Sequence, residues 1–129
     1  MIVGLGIDVV DLARIQRILD GPAERARRFV DRCFTPAEQD YCRAARDAAA
    51  RYGARFAAKE AASKALGVPE GVRWVDVEVV KGEGGAPSLA LHGVAAERAR
   101  RMGVTRVLVT LTHDGGVAAA VVALEGRAP

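Results

Sequence analysis

The sequence predicts an α+β domain in which an antiparallel sheet packs against a long helix. Three observations carry this expectation. Apolar patterning runs in the order strand, helices, two strands, helix, two strands. Helical spacing, with start and stop residues, fills positions 11–67. Two-residue alternation then returns at positions 73–92 and 106–124. The 129 residues suit one domain with its own core, 1–129, and they contain no linker, low-complexity segment or internal repeat.

The first strand spans Met1 to Val10, with Ile2, Val3, Leu5, Ile7, Val9 and Val10 as its apolar positions. Gly4 and Gly6 permit another backbone to approach closely. Asp8 interrupts the apolar run and needs a partner, water or a cation, because an isolated buried charge is too costly. Asp11 caps a helix that reaches about Leu19 and is closed by Gly21. Leu12, Ile15, Ile18 and Leu19 form its apolar stripe, and Arg14 and Arg17 lie off it. Pro22 opens a second helix at its first helical position, with Arg25, Arg27, Arg28 and Arg32 outward and Phe29 and Val30 inward. Thr35-Pro36-Ala37-Glu38 spells a capping box. The alanine-rich helix that follows runs to Gly67, ahead of Pro69, bent or divided at Gly53.

Arg73 to Val80 alternates as a strand, with Val75, Val77 and Val79 on one face. A turn over Lys81–Pro87 returns the chain along Ser88–His92. Val94–Met102 is a short basic helix closed by Gly103. Arg106–Thr112 and Val117–Leu124 form a closing hairpin around His113-Asp114-Gly115-Gly116, and Gly126–Pro129 reads as a frayed tail.

Half the residues are hydrophobic, yet no apolar run approaches the ~20 residues of a membrane span. Met1 leads straight into a strand with no basic segment ahead of it, so no secretory signal and a cytoplasmic location are expected. Cys33 and Cys42 fit neither a CxxC pair nor a zinc spacing and read as reduced thiols. Net charge is +3, unevenly placed: Arg14 through Arg55 hold ten arginines, no lysine and six acids. Such a basic face suits phosphates or an acidic partner. Nucleic acid is not expected, since aromatics are few and no known nucleic-acid motif is present.

The chemistry concentrates in Arg55–Gly67. At 3.6 residues per turn, Phe56, Glu60, Ser63, Lys64 and Gly67 fall on or near one helical face. Glu60 and Lys64 stand four apart, the spacing of an ordinary solvated pair worth about 0.3 kcal/mol. Asp8 equally reads as a strand-end turn former, His113 as a turn residue, and the arginines as a solvated helix face. If the long helix crosses the first strand, Asp8 and Glu60 converge. Two carboxylates whose open positions take water and phosphate oxygens are a magnesium arrangement. Lys64 would then meet phosphate charge, and Arg55 would add a planar clamp. The residues alone stop at a metal-and-phosphate site without a reaction.

Three motifs in order resemble the holo-acyl-carrier-protein synthase family, the small bacterial 4'-phosphopantetheinyl transferases. They are Val3-Gly4-Leu5-Gly6-Ile7-Asp8-Val9-Val10 with Ala13-Arg14-Ile15, then Arg55-Phe56-Ala57-Ala58-Lys59-Glu60-Ala61 through Lys64-Ala65-Leu66-Gly67, then Val109-Thr110-Leu111-Thr112-His113. The resemblance spans nearly the whole chain. It implies a 4'-phosphopantetheinyl transferase-like fold and transfer of 4'-phosphopantetheine from coenzyme A to a serine of apo acyl carrier protein, releasing adenosine 3',5'-bisphosphate. On the matching positions, Asp8, Glu60 and Lys64 would be catalytic. Asp8 and Glu60 would hold magnesium, with manganese the alternative. Arg55, Ser63, Lys64, Gly67 and His113 would contact coenzyme A. Arg14, with Arg17 beside it, would dock the acidic carrier.

The family also implies a homotrimer with sites between subunits, so Asp8 and Glu60 need not share a site with His113 of the same chain. Glu60 and a metal-held water both stand as acceptors for the serine proton. The sequence departs from the family in three places: Val68-Pro69 follows Gly67 where threonine-glycine is usual, Ala86 replaces a frequent lysine, and Leu108 replaces a frequent histidine. Two other classes stay open on the residues: a carrier-protein or nucleic-acid binding module using the arginine face without chemistry, and a metal-dependent phosphotransferase or phosphohydrolase acting on a nucleotide.

Overall fold

In a computed structural model describing residues 1–127, β1 (Ile2–Asp11) lies directly on the backbone of helix α4 (Ala48–Ala65). Between them in sequence come α1 (Leu12–Asp20), α2 (Ala23–Cys33) and α3 (Pro36–Arg43). After α4 come β2 (Val77–Lys81), β3 (Pro87–Leu91), α5 (Gly93–Arg101), β4 (Val104–Asp114) and β5 (Val117–Gly126). All strand pairs are antiparallel, in two sheets rather than one: a three-stranded sheet ordered β1-β5-β4, and the hairpin β2-β3. The first strand therefore pairs with the last, Ile7 opposite Val121 and Asp8 opposite Ala120.

The glycines of β1 explain its place. A Cβ added at Gly6 would overlap the Ala61 carbonyl oxygen of α4, and one at Gly4 would overlap that of Ala65. Only glycine lets strand and helix backbones touch here. The alanines of α4 serve the same end: Ala57, Ala58, Ala61 and Ala62 are at most 1% exposed. Larger residues fill the space around them, with Phe34, Leu66, Val122 and Leu124 fully buried.

The local signals place most boundaries. Asp11 caps α1 by accepting from the Ala13 N–H at 3.0 Å. Thr35 and Glu38 close the capping box in both directions. Pro22 stands one step earlier than expected, as the residue before α2. The alanine-rich run is divided, but at residues 44–47 rather than at Gly53. Asp47 accepts from the Ala50 N–H at 3.1 Å and starts α4 afresh. Gly53 sits inside α4, where a Cβ would strike the Leu12 side chain of α1.

The strand expected from Arg73 begins only at Val77. Asp76, fully buried, accepts from the Arg73 N–H at 3.0 Å and winds Trp74–Asp76 into a 3₁₀ turn. The β4–β5 turn is Gly115-Gly116, both with positive φ, so His113 lies within the ladder opposite Ala118. Gly126 is no frayed residue: it ends β5, and the next N–H, of Arg127, donates to the Gly103 carbonyl. The rest of that expected tail, Ala128 and Pro129, lies outside the described residues.

One buried ion pair ties the layers together. Lys59 of α4 reaches Glu38 of α3 at 2.7 Å, each side chain 1% exposed. Burial pulls the Lys59 pKa down, and the Glu38 carboxylate pulls it back up.

Gly6→Ala should cost more than the usual ~1–3 kcal/mol of an overpacked site, because backbone rather than a side chain must move. Urea denaturation of the variant measures this; a loss below about 1 kcal/mol would show that β1 and α4 can separate freely.

Candidate active site

Alternation along β1 turns Gly4, Gly6, Asp8 and Val10 toward α4 and leaves Leu5, Ile7 and Val9 outside, at 67, 60 and 60% exposure. The Gly6–Ala61 contact thus sets Asp8 beside the two polar residues that flank it on the helix, Glu60 and Lys64. The Lys64 Nζ donates to Asp8 Oδ1 at 3.1 Å and to the Ile7 carbonyl at 3.0 Å. The convergence expected if α4 crosses β1 is therefore met. Asp8 and Glu60 line one depression of about 370 Å³ with Arg14 and Ile15 of α1, Phe29 of α2, and Phe56.

The electrostatics of this depression are those of an underneutralised acid pair. Burial raises the Glu60 pKa, the Asp8 charge raises it further, and Lys64 only partly offsets them. Two carboxylates sharing one ammonium fit a hard divalent cation. Among the described residues no cluster of three or more His, Cys, Asp or Glu side chains surrounds a common point. A cation held by Asp8 and Glu60 would keep open positions for phosphate oxygens and water, which suits magnesium.

The coenzyme A positions implied by the resemblance do not gather in one place on this chain. Ser63 lies with Glu60 in an adjoining slot of about 220 Å³. Lys64 meets Asp8. Gly67 follows α4 at φ +81°, and its N–H donates back to the Lys64 carbonyl at 3.0 Å. The Val68 N–H likewise donates to the Ser63 carbonyl, at 2.7 Å. This loop thus offers a phosphate neither of those donors. Val68 itself sits at φ +52°, a left-handed setting unfavourable for a β-branched residue.

Arg55 and His113 lie elsewhere, in a second pocket of about 220 Å³ with Tyr41, Arg51, Leu111 and Thr112. Arg55 and Glu60 are five residues apart, about 140° round the helix, so their side chains leave α4 in different directions. Arg55 is only 7% exposed, and its Nε has no hydrogen-bond partner. Its guanidinium lies 4.1 Å from the Tyr41 ring centroid, Arg51 lies 4.0 Å away, and the Lys81 Nζ lies 5.6 Å away. Among the described residues no carboxylate pairs with Arg51, Arg55 or His113. Cations gathered around one aromatic ring without acids suit an anion.

Sequence reasoning missed Tyr41, Arg51 and Lys81 here, and Trp74 and Phe29 beside Glu60. Arg51 and Arg55, one turn apart with no acid between them, were a readable signal. Trp74 had none, because its position depends on the 3₁₀ turn. Arg14 opens on the acidic depression; Arg17, also exposed, lies on the last turn of α1.

An acid pair with an ammonium, and a separate cationic pocket, suit a protein that handles a phosphate-bearing ligand. A model of the 4'-phosphopantetheinyl transferase superfamily matches residues 4–122. The chain is 69% identical to the holo-[acyl-carrier-protein] synthase of Anaeromyxobacter dehalogenans strain 2CP-C over the full length of both, and 53% identical to that of Myxococcus xanthus over 96% of this chain and 95% of the relative. Its fold matches the Helicobacter pylori synthase in complex with coenzyme A, with TM-score 0.79, 30% identity, and coverage of 94% of this chain and 99% of that one. It matches the Neisseria meningitidis synthase with TM-score 0.83, 29% identity, and coverage of 97% and 99%. The chain belongs to the holo-acyl-carrier-protein synthase family of 4'-phosphopantetheinyl transferases.

Because Glu60 is less acidic folded than the usual glutamate, its ionisation costs stability above its folded pKa, and that cost disappears toward about pH 4. Glu60→Gln should therefore melt about 2–5 °C above the parent near pH 8, with the gap closing toward pH 4. Equal melting temperatures at both pH values would show that Asp8 and Glu60 do not strain each other.

Proposed function

We infer that this chain transfers 4'-phosphopantetheine from coenzyme A to a serine of apo acyl carrier protein, releasing adenosine 3',5'-bisphosphate. Full-length identity of 69% to a holo-[acyl-carrier-protein] synthase, with Asp8, Glu60 and Lys64 assembled, carries the reading. The serine oxygen bonds to the phosphorus bearing the pantetheine arm, and the bond from that phosphorus to the bridging oxygen of the pyrophosphate breaks. The serine proton needs an acceptor within hydrogen-bond reach, and Glu60 or a metal-held water would supply it. Lys64 stands ready to exchange Asp8 for pyrophosphate oxygens. Asp8 and Glu60 would hold magnesium, which supplies charge neutralisation at the phosphoryl oxygens and the departing bisphosphate. Arg14, at the mouth of the same depression, would meet the acidic carrier, with Arg17 on its flank.

The cationic pocket holds the nucleotide end in this reading, through Arg55, Arg51 and His113. It opens away from Glu60, so a single coenzyme A needs Asp8 and Glu60 from one chain and Arg55 and His113 from another. A homotrimer satisfies this. The uncovered face of Leu5, Ile7 and Val9, beside Val121 of β5, supports contact between copies. Free buried Cys33 and Cys42, with burial holding the Cys42 thiol up to about 11, suit a reducing cytoplasm. Among the described residues no helix is long and apolar enough to cross a membrane.

Intact mass of apo acyl carrier protein, after incubation with the chain, coenzyme A and magnesium, should rise by one phosphopantetheine, and a chelator should prevent the gain. No gain with several folded carriers would favour a binding module. Coenzyme A cleavage without any carrier would favour the nucleotide-directed alternative.

Glu60→Ala and Arg55→Ala chains should each be nearly inactive alone. Refolded together, they should regain activity in at most about one site in four, as random mixing of copies dictates. No recovery in mixed oligomers would place both residues in one chain's site.

A further inference from the structure

The slot next to the acidic depression has two walls. One is α4, carrying Glu60 and Ser63; the other is the Trp74–Asp76 turn and the start of β2 at Val77. Lys59, immediately before Glu60, spans them. Its Nζ directs its three protons to Glu38 Oε1 at 2.7 Å, to the Trp74 carbonyl at 3.2 Å, and to the Val77 carbonyl. Two of those acceptors are therefore on the wall opposite Glu60, one at the start of the turn and one just after its end. Glu38 is fixed in the same way. It also accepts from the Thr35 N–H at 2.9 Å and, through Oε2, from the Val79 N–H at 3.0 Å.

A buried ion pair is a poor way to gain stability, since desolvation offsets its attraction, and an apolar pair would fill the space as well. What this pair adds is direction: two hydrogen bonds, to the Trp74 and Val77 carbonyls, fix how far the turn stands from the helix, and the third anchors Lys59 to Glu38 of α3. The consequence reaches both depressions. The Trp74 ring stacks on Phe56, centroids 4.8 Å apart, and both rings line the depression that holds Asp8 and Glu60. We propose that Lys59 is a positioning residue of the transfer reaction, holding the Trp74 wall at the distance from Glu60 that the reacting phosphate requires. This rests on the transferase reading above. Lys59 touches no substrate in it; it acts through Trp74 and through the setting of its neighbour Glu60.

Trp74 is the chain's only tryptophan, so its emission reports the wall directly. The test compares the parent with Lys59→Met/Glu38→Gln, which removes both charges at similar volume, and with Trp74→Ala and Lys59→Met/Trp74→Ala. The doubly neutral variant should remain folded and shift its Trp74 emission to the red. Its kcat should fall about ten- to a hundredfold, the scale of a misplacement near 1 Å, with its KM for carrier protein unchanged. Trp74→Ala should lose kcat similarly, and Lys59→Met should add little to it. A folded doubly neutral variant with parental emission or parental kcat would reduce the pair to a structural role and overturn the proposal. Parental kcat in Trp74→Ala would overturn it whether or not the Lys59 variants fold. If the parent transfers nothing from coenzyme A, the transferase reading fails instead, and the emission arm still decides whether Lys59 sets the wall.

Discussion

The contact between Gly6 and the Ala61 carbonyl is the constraint on which the rest of the site depends. It brings a strand and a helix to backbone distance, with no side chain between them. At that distance the next inward residue of β1, Asp8, is level with the polar residues on either side of Ala61. A larger residue at position 6 would lift the strand away, and the carboxylates would no longer share a depression. The alanines of α4 are as much part of this as the glycines of β1: each keeps the helix thin where something must come close. The helix is consequently buried on most sides, and its polar residues emerge only where a depression or an ion pair receives them.

Each set of charges is left deliberately unbalanced. Asp8 and Glu60 share one ammonium, and the cations around Tyr41 face no described acid. By contrast Lys59 and Glu38, both buried, are fully partnered. Imbalance at the surface and balance in the interior is what a site for a charged ligand and its support require respectively. The two unbalanced sets have opposite sign, as do a metal-binding phosphate site and a phosphate clamp.

Much of this was legible because its causes are local. Asp11, Thr35 and Glu38 name their helix starts through hydrogen bonds made within three residues. The alternation of β5 shows in its string of alanines and valines. Asp8 and Glu60 stood out as acids in apolar company. What was not legible depended on partners far away in sequence. The break before α4 hangs on Asp47, which looks no different from the other acids of an alanine-rich run. The 3₁₀ turn at Trp74 depends on a buried Asp76, where alternation alone reads as strand. Lys59 was in plain sight within the motif, but its three acceptors come from α3, the turn and β2, which no spacing rule connects.

The position of β5 carries a consequence for how the chain is made. It is the last in sequence of the described strands and the central one of its sheet, flanked by β1 and by β4. Until β5 has left the ribosome, β1 has no strand to pair with, and its glycines and exposed aliphatic residues wait on the far side of almost the whole sequence. Such long-range pairing is slow to form and leaves an unpaired edge open to other chains meanwhile. The fold around the site is therefore all or nothing with respect to β5: a nascent chain cut short before Val117 carries every residue of the acidic depression and has no strand to pair with β1.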